Sequence, residues 1–125
     1  MATILLVYDD KGGNPLLCGL LEHLGHRCLG VYTGEEALRI LQSQDPGLPD
    51  LVVLNFMTPD IDGLEVLRRI RSERGTAGPP VIMFSEIADP AFRGYVMSRG
   101  ASDYWIKGAM DLTRLNEMIA AHLQS

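Results

Sequence analysis

The chain has 125 residues, 46% of them hydrophobic and 22% charged, with a formal net charge of −5. These values fit a single compact domain over 1–125 with a core of its own. The acidic balance argues against nucleic acid or anionic lipid as a partner, and no run approaches the ~20 apolar residues of a membrane span.

Strand and helix patterns then alternate five times. Thr3–Tyr8 (TILLVY) is a β-rich run without alternation, as in a strand buried on both faces. Asp9–Pro15 (DDKGGNP) is dense in turn formers and predicts a loop. Leu16, Leu17, Leu20, Leu21 and Leu24 recur at helical spacing, and Gly25 ends that helix. Cys28–Tyr32 is a second, shorter strand. Thr33 and Glu36 form a capping box for a helix that turns Ala37, Leu38 and Leu41 inward and runs to about Gln44. Asp45–Pro49 is a loop, and Leu51–Leu54 is the most apolar strand. Asp62 caps a third helix with Leu64, Leu67 and Ile70 facing the core, and Gly75–Pro79 breaks it. Pro80–Phe84 is the fourth strand. Asp89 caps the fourth helix, with Pro90 at its first position, where a missing N–H costs nothing. Ser102–Ile106 is the fifth strand, and the last helix starts near Asp111 and buries Leu112, Leu115, Ile119 and Leu123.

This alternation predicts an α/β fold, a doubly wound five-stranded parallel sheet with helices on both faces. In such open sheets functional groups gather beyond the carboxyl ends of the strands. The residues placed there are Asp9 and Asp10, Asn55 to Thr58, Ser85 and Glu86, and Lys107. Carboxylates can hold a hard cation such as Mg²⁺, while a hydroxyl and an ammonium can both donate to phosphoryl oxygens.

With those residues in view, the chain resembles the receiver domain of two-component response regulators over essentially its whole length. The markers, in order, are ILLVYDD (Ile4–Asp10), LGH (Leu24–His26), TGEEAL (Thr33–Leu38), MTPDIDGLEVLRRIR (Met57–Arg71), VIMFS (Val81–Ser85) and GASDYWIK (Gly100–Lys107). The resemblance implies a flavodoxin-like (βα)5 fold of strand order 2-1-3-4-5. It also implies a carboxylate after strand three that accepts a phosphoryl group from a histidine kinase. Two acids after strand one, that carboxylate and a backbone carbonyl two residues on would bind Mg²⁺. Here Asn55 falls on the phosphoacceptor, Tyr8 on the first acidic position and Asp9 on the second. Met57 supplies the carbonyl, Ser85 falls on the hydroxyl position, Lys107 on the lysine and Tyr104 on the switch aromatic. Gly108 stands where the family usually has a cis proline, so the 107–108 peptide is expected to be trans.

An Asn side chain carries no charge and its nitrogen lone pair is delocalised, so Asn55 cannot be a phosphate-accepting nucleophile. At about 4 Å and an effective dielectric near 20 each unit charge pair is worth ~4 kcal/mol. Losing two of three carboxylates therefore predicts no tight Mg²⁺ site, with Asp9, Asp10, Asn55 and Met57 as residual ligands. Lys107 is then expected to pair with Asp9 or to donate to the Asn55 side-chain oxygen, fixing the site in one state.

Several residues carry blander expectations. Cys18 and Cys28 are not in a CxxC pair and are read as buried thiols. Arg68, Arg69, Arg71 and Arg74 read as a solvated helix face, with a basic docking patch as the alternative. The three histidines read as structural or solvated and the six methionines as core filler. PDIDG (Pro59–Gly63) lacks the bidentate Glu of a calcium loop and reads as a turn with a cap, and KGGN (Lys11–Asn14) is no Walker loop. No signal peptide is visible, which points to the cytoplasm. One helix follows strand five, which predicts a stand-alone domain that is not an enzyme.

The leading expectation is thus a degenerate receiver-like signalling domain acting by phosphorylation-independent protein–protein contact. The partner would be a histidine kinase, a downstream effector or a second copy. It would bind the face of helix four, strand five and helix five, where Phe92, Tyr95, Tyr104 and Trp105 lie. The alternatives are a phosphorelay receiver with Asp9 or Asp10 as substitute acceptor, an Asn55 change that blocks phosphorylation, and a small flavodoxin-like cofactor-binding protein.

Overall fold

The computed structural model describes residues 2–43, 49–74, 78–107 and 112–123. In chain order the elements are β1 (Thr3–Val7), α1 (Gly13–His23), β2 (Arg27–Val31), α2 (Gly34–Ser43), β3 (Leu51–Asn55), α3 (Gly63–Arg74), β4 (Val81–Ser85), α4 (Pro90–Ser98), β5 (Asp103–Ile106) and α5 (Leu112–Leu123). The strands form one parallel sheet in the order β2-β1-β3-β4-β5, the expected fold. The end of α2 near Gln44, the loop residues 45–48 and 75–77, the 107–108 peptide with Gly108, and Asp111 lie outside the described residues, as does the side chain of Arg74.

Every residue of β3 and β4 is buried, because helices cover both faces of these central strands. One layer packs α2, α3 and α4 on the sheet through Ala37, Leu38, Leu41, Val66, Leu67, Ile70 and Val96. The other packs α1 and α5 through Leu17, Leu21, Leu115, Met118 and Ile119. β2, at the edge, instead alternates exposed and half-buried residues up to Val31.

The caps form as expected. Glu36 N–H donates to Thr33 Oγ1 (3.1 Å), and the Glu36 carboxylate accepts from Tyr32 N–H. Asp62 accepts from Glu65 N–H, and Asp89 from Ala91 N–H ahead of Pro90. Gly25 follows α1 with φ +98°, a conformation side chains disfavour. α2 has a further cap from far along the chain: Asp60 accepts from Gly34 N–H (3.0 Å) and Glu35 N–H (2.9 Å). Burial pushes the Asp60 carboxyl up, but the N–H groups of Glu35, Ile61 and Gly34 outweigh it and hold it below its ordinary value.

Four expectations need correction. β1 stops at Val7 and α1 starts at Gly13, because Asp10 caps the helix early and Pro15 is tolerated in its first turn. Cys18 and Cys28 are joined in a disulfide between α1 and β2, since the turn at residues 24–26 folds the two back to a Cα–Cα distance of 5.5 Å. Met57 is 65% exposed and is no core filler. Of the four aromatics placed on the face of α4, β5 and α5, only Tyr95 is exposed. Tyr104 and Trp105 point into the two core layers and Phe92 packs against one of them. Of the arginines, Arg68 and Arg69 share Glu65, and Arg71 donates to the Gly100 carbonyl. The two guanidiniums, Arg68 first, hold the Glu65 carboxyl down to about 2.

Candidate functional site at the carboxyl end of the sheet

The β1 strand delivers Tyr8, Asp9 and Asp10 to the end of the sheet. Tyr8 is held by its backbone: its N–H donates to the Val31 carbonyl (3.0 Å), and its carbonyl accepts from Asn14 Nδ2 (2.8 Å). Asn14 also donates to the Val31 carbonyl (2.9 Å) and is itself buried, so it ties α1 to the ends of β1 and β2. The Tyr8 ring lies across the start of α1. A Cβ at position 13 would sit 2.7 Å from Tyr8 Cε2, so Gly13 is what lets the ring pass. Asp10 turns towards the same helix, where its carboxylate accepts from Gly13 N–H (2.6 Å). It therefore serves as a cap and lies outside the pocket that the other candidates line, contrary to its expected place as a residual metal ligand.

Asn55 ends β3 with only 1% of its surface exposed. Its Nδ2 donates to Asp9 Oδ1 (3.2 Å) and makes a very short contact with the Met57 carbonyl. Both partners are acceptors, so the amide nitrogen must face them. The Asn55 Oδ1 is buried and has no hydrogen-bond partner among the described residues. From β4, Ser85 Oγ accepts from Ile87 N–H (3.1 Å), and the buried Tyr104 of β5 donates its hydroxyl proton to the Ile87 carbonyl (2.7 Å). These two bonds hold the start of the β4–α4 connection from both sides.

Neither contact expected for Lys107 forms. Its Nζ sits 4.7 Å from the centre of the Tyr8 ring and 4.9 Å from that of Phe84. The Asn55 amide already supplies a donor to Asp9, and two aromatic faces offer the ammonium an alternative seat. Phe84 meets Tyr8 edge-on (5.2 Å) and stacks on Trp105 (4.7 Å), which continues the aromatic row into the core. Burial, then the carboxylates of Asp10, Asp9 and Glu86, push the Tyr8 hydroxyl above its ordinary pKa. Asp9, Asn55, Met57, Ser85, Glu86 and Lys107 are brought together around a cavity of about 210 Å³, lined also by Phe56 and Ile87.

A divalent cation in this pocket would need lone pairs converging on one point. The pocket offers the Asp9 carboxylate and the Met57 carbonyl, but the Asn55 N–H groups point into the space between them. At the position of the first acid stands the Tyr8 ring. The residues present therefore do not fit the Mg²⁺ that the resemblance implies.

Sequence reasoning missed Asn14 and the cysteine pair. Asn14 sits in a run of turn formers, and the pairing of Cys18 with Cys28 depends on how α1 returns to β2.

The profile of the response regulator receiver domain matches residues 4–120. The chain is 37% identical over 107 residues to the transcriptional regulatory protein AfsQ1 of Streptomyces coelicolor, covering 86% of this chain and 45% of that protein. It is 34% identical over 107 residues to the phosphate regulon transcriptional regulatory protein PhoB of Rhizobium meliloti, covering 86% and 46%. The chain thus spans under half the length of these relatives. Among solved structures it superposes on a two-component response regulator from Clostridium difficile with TM-score 0.85 and 27% identity, covering 99% of this chain and 97% of that one.

Proposed function

This chain belongs to the response regulator receiver domain family, and on that footing we propose that it signals by protein–protein contact without phosphorylation at position 55. Receiver domains interact with histidine kinases and effector domains, so a protein partner is the family's working mode.

The observation that carries the proposal is the Asn55 amide. Its nitrogen donates to Asp9 and to the Met57 carbonyl, the groups that would otherwise flank an activating cation. An internal N–H donor thus stands beside the two acceptors where the ion would otherwise sit. No nucleophile is offered at position 55, because the amide lone pair is delocalised. Tyr104 supports a fixed state as well: it is buried, and its hydroxyl is spent on the Ile87 carbonyl.

The partner surface is the face of α4, β5 and α5. Asp103 of β5 meets His122 of α5 at 3.0 Å and Arg93 of α4 at 3.8 Å, so the three elements present one joined surface beside the exposed Tyr95. A kinase, an effector or a second copy of the chain would dock there.

The test is incubation with a small phosphodonor and Mg²⁺, followed by intact-mass and peptide analysis. No phosphoryl adduct is expected. Stoichiometric modification at position 55 would overturn the proposal, and modification of Asp9 or Asp10 would establish the substitute-acceptor alternative in its place.

A further inference from the structure

We propose that Cys18 and Cys28 form a thiol–disulfide exchange site, through which the oxidation state of the surroundings sets how firmly α1 is held beside the candidate site. These are the chain's two cysteines, ten residues apart, and they bond to each other. Cys18 lies on α1 and Cys28 on β2, the edge strand. Both residues are half-buried at the rim of the core layer that α1 and α5 build.

The bond is well placed to act on the site. Asn14 precedes Cys18 by one helical turn, on the same helix face. Asn14 carries the Tyr8 and Val31 carbonyls, and the Tyr8 ring carries the Lys107 ammonium. The disulfide therefore anchors the helix that positions the β1 end of the pocket. Without it, two small apolar thiols remain against the same layer, and Leu17 and Leu21 stay buried beneath α1. Reduction thus loosens α1 without dissolving the fold. This inference is independent of how position 55 is read.

The chemistry needs a low-molecular-weight thiol such as glutathione. Its thiolate attacks one cysteine sulfur, the S–S bond breaks, and the other cysteine leaves as a thiolate that takes up a proton. A second thiol then attacks the mixed disulfide, freeing the remaining cysteine and forming the small-molecule disulfide. Two electrons pass from the two thiols to the protein.

The test takes the full chain, folded, through reduced and then oxidised glutathione. Samples are quenched with a thiol-alkylating reagent and weighed intact, and amide hydrogen exchange is followed in parallel. The expected counts are no free thiols before reduction, two after it, and none after reoxidation. Far-ultraviolet circular dichroism should not change, and amides of α1 and of Tyr8 should exchange several-fold faster in the reduced chain. A C18S/C28S double variant should show the reduced exchange pattern at every glutathione ratio. Two free thiols under oxidising conditions would overturn the proposal, and so would a bond that glutathione reduces only in the unfolded chain. Reduction with unchanged exchange in α1, or a double variant that still responds to glutathione, would overturn the link to the site.

Discussion

Replacing Asn55 by Asp puts the balance of the pocket to a quantitative test. In the chain as it stands, Asn55 Nδ2 donates to Asp9 Oδ1 at 3.2 Å and to the Met57 carbonyl. In Asn55→Asp an acceptor replaces the donor, and two hydrogen bonds of about 1 kcal/mol each are lost. Two like charges 3.2 Å apart repel by about 5 kcal/mol at an effective dielectric near 20. Lys107 can leave the Tyr8 ring, which costs about 0.5–1 kcal/mol, and recover about 4 kcal/mol by pairing with the new carboxylate. The net loss at neutral pH is roughly 3.5–4 kcal/mol, a large share of the ~5–15 kcal/mol that holds a typical domain together. Crowding raises the pKa of the new carboxyl above its unfolded value of about 3.9. Such a group loses stability as the pH rises through its folded-state pKa, so the deficit is largest at neutral pH and shrinks towards about pH 4. Urea unfolding of both chains at neutral and mildly acidic pH measures it. With Tyr8 still in place, millimolar Mg²⁺ should return less than about 1.4 kcal/mol, the gain at roughly ten times its Kd. Equal stability of the two chains at neutral pH without Mg²⁺ would refute the role given to the Asn55 amide. Full recovery by Mg²⁺ would refute the argument that the pocket is wrong for the ion.

Two further outcomes follow from the Tyr8 neighbourhood. Asn14→Leu removes the donor to the Tyr8 and Val31 carbonyls; the Val31 carbonyl keeps Tyr8 N–H, while the Tyr8 carbonyl loses its side-chain partner. A loss of about 2–3 kcal/mol is expected in urea unfolding, and a change under 0.5 kcal/mol would contradict the anchoring role. The Tyr8 hydroxyl, held above 10.0 by burial and then by Asp10, Asp9 and Glu86, should ionise late in an ultraviolet absorbance titration. Because its folded-state pKa is raised, its contribution to stability is complete below about 10 and is lost as the pH rises through the folded value. Asp10→Asn should bring its midpoint down, and an unmoved midpoint would remove Asp10 from the list of causes.

The fold was largely legible because its signals are local. The unbroken apolar runs at β3 and β4, the Thr33–Glu36 box and the Asp89–Pro90 start all act within a few residues. The positions of Asn55, Ser85 and Lys107 followed from the same alternation, since each lies at the end of a strand. What escaped depends on groups far apart in the chain. Asp60 caps a helix that begins 26 residues earlier. Cys18 meets Cys28 only because α1 reverses onto β2. Lys107, on a long flexible stem, chose aromatic faces over a carboxylate once Asn55 had engaged Asp9. Tyr8 could be assigned to an acidic position, yet nothing local announced that its ring would become that seat.

The row from Tyr8 through Phe84 to Trp105 also gives the molecule an optical read-out. Trp105 is the sole tryptophan, 2% exposed, and its ring stacks on the phenylalanine that Lys107 covers. A positive charge so close to an indole stack biases its excited state, so emission reports where the ammonium stands. Anything that draws Lys107 off the rings, whether a bound anion or a partner's carboxylate, registers as a change in intrinsic fluorescence without a label.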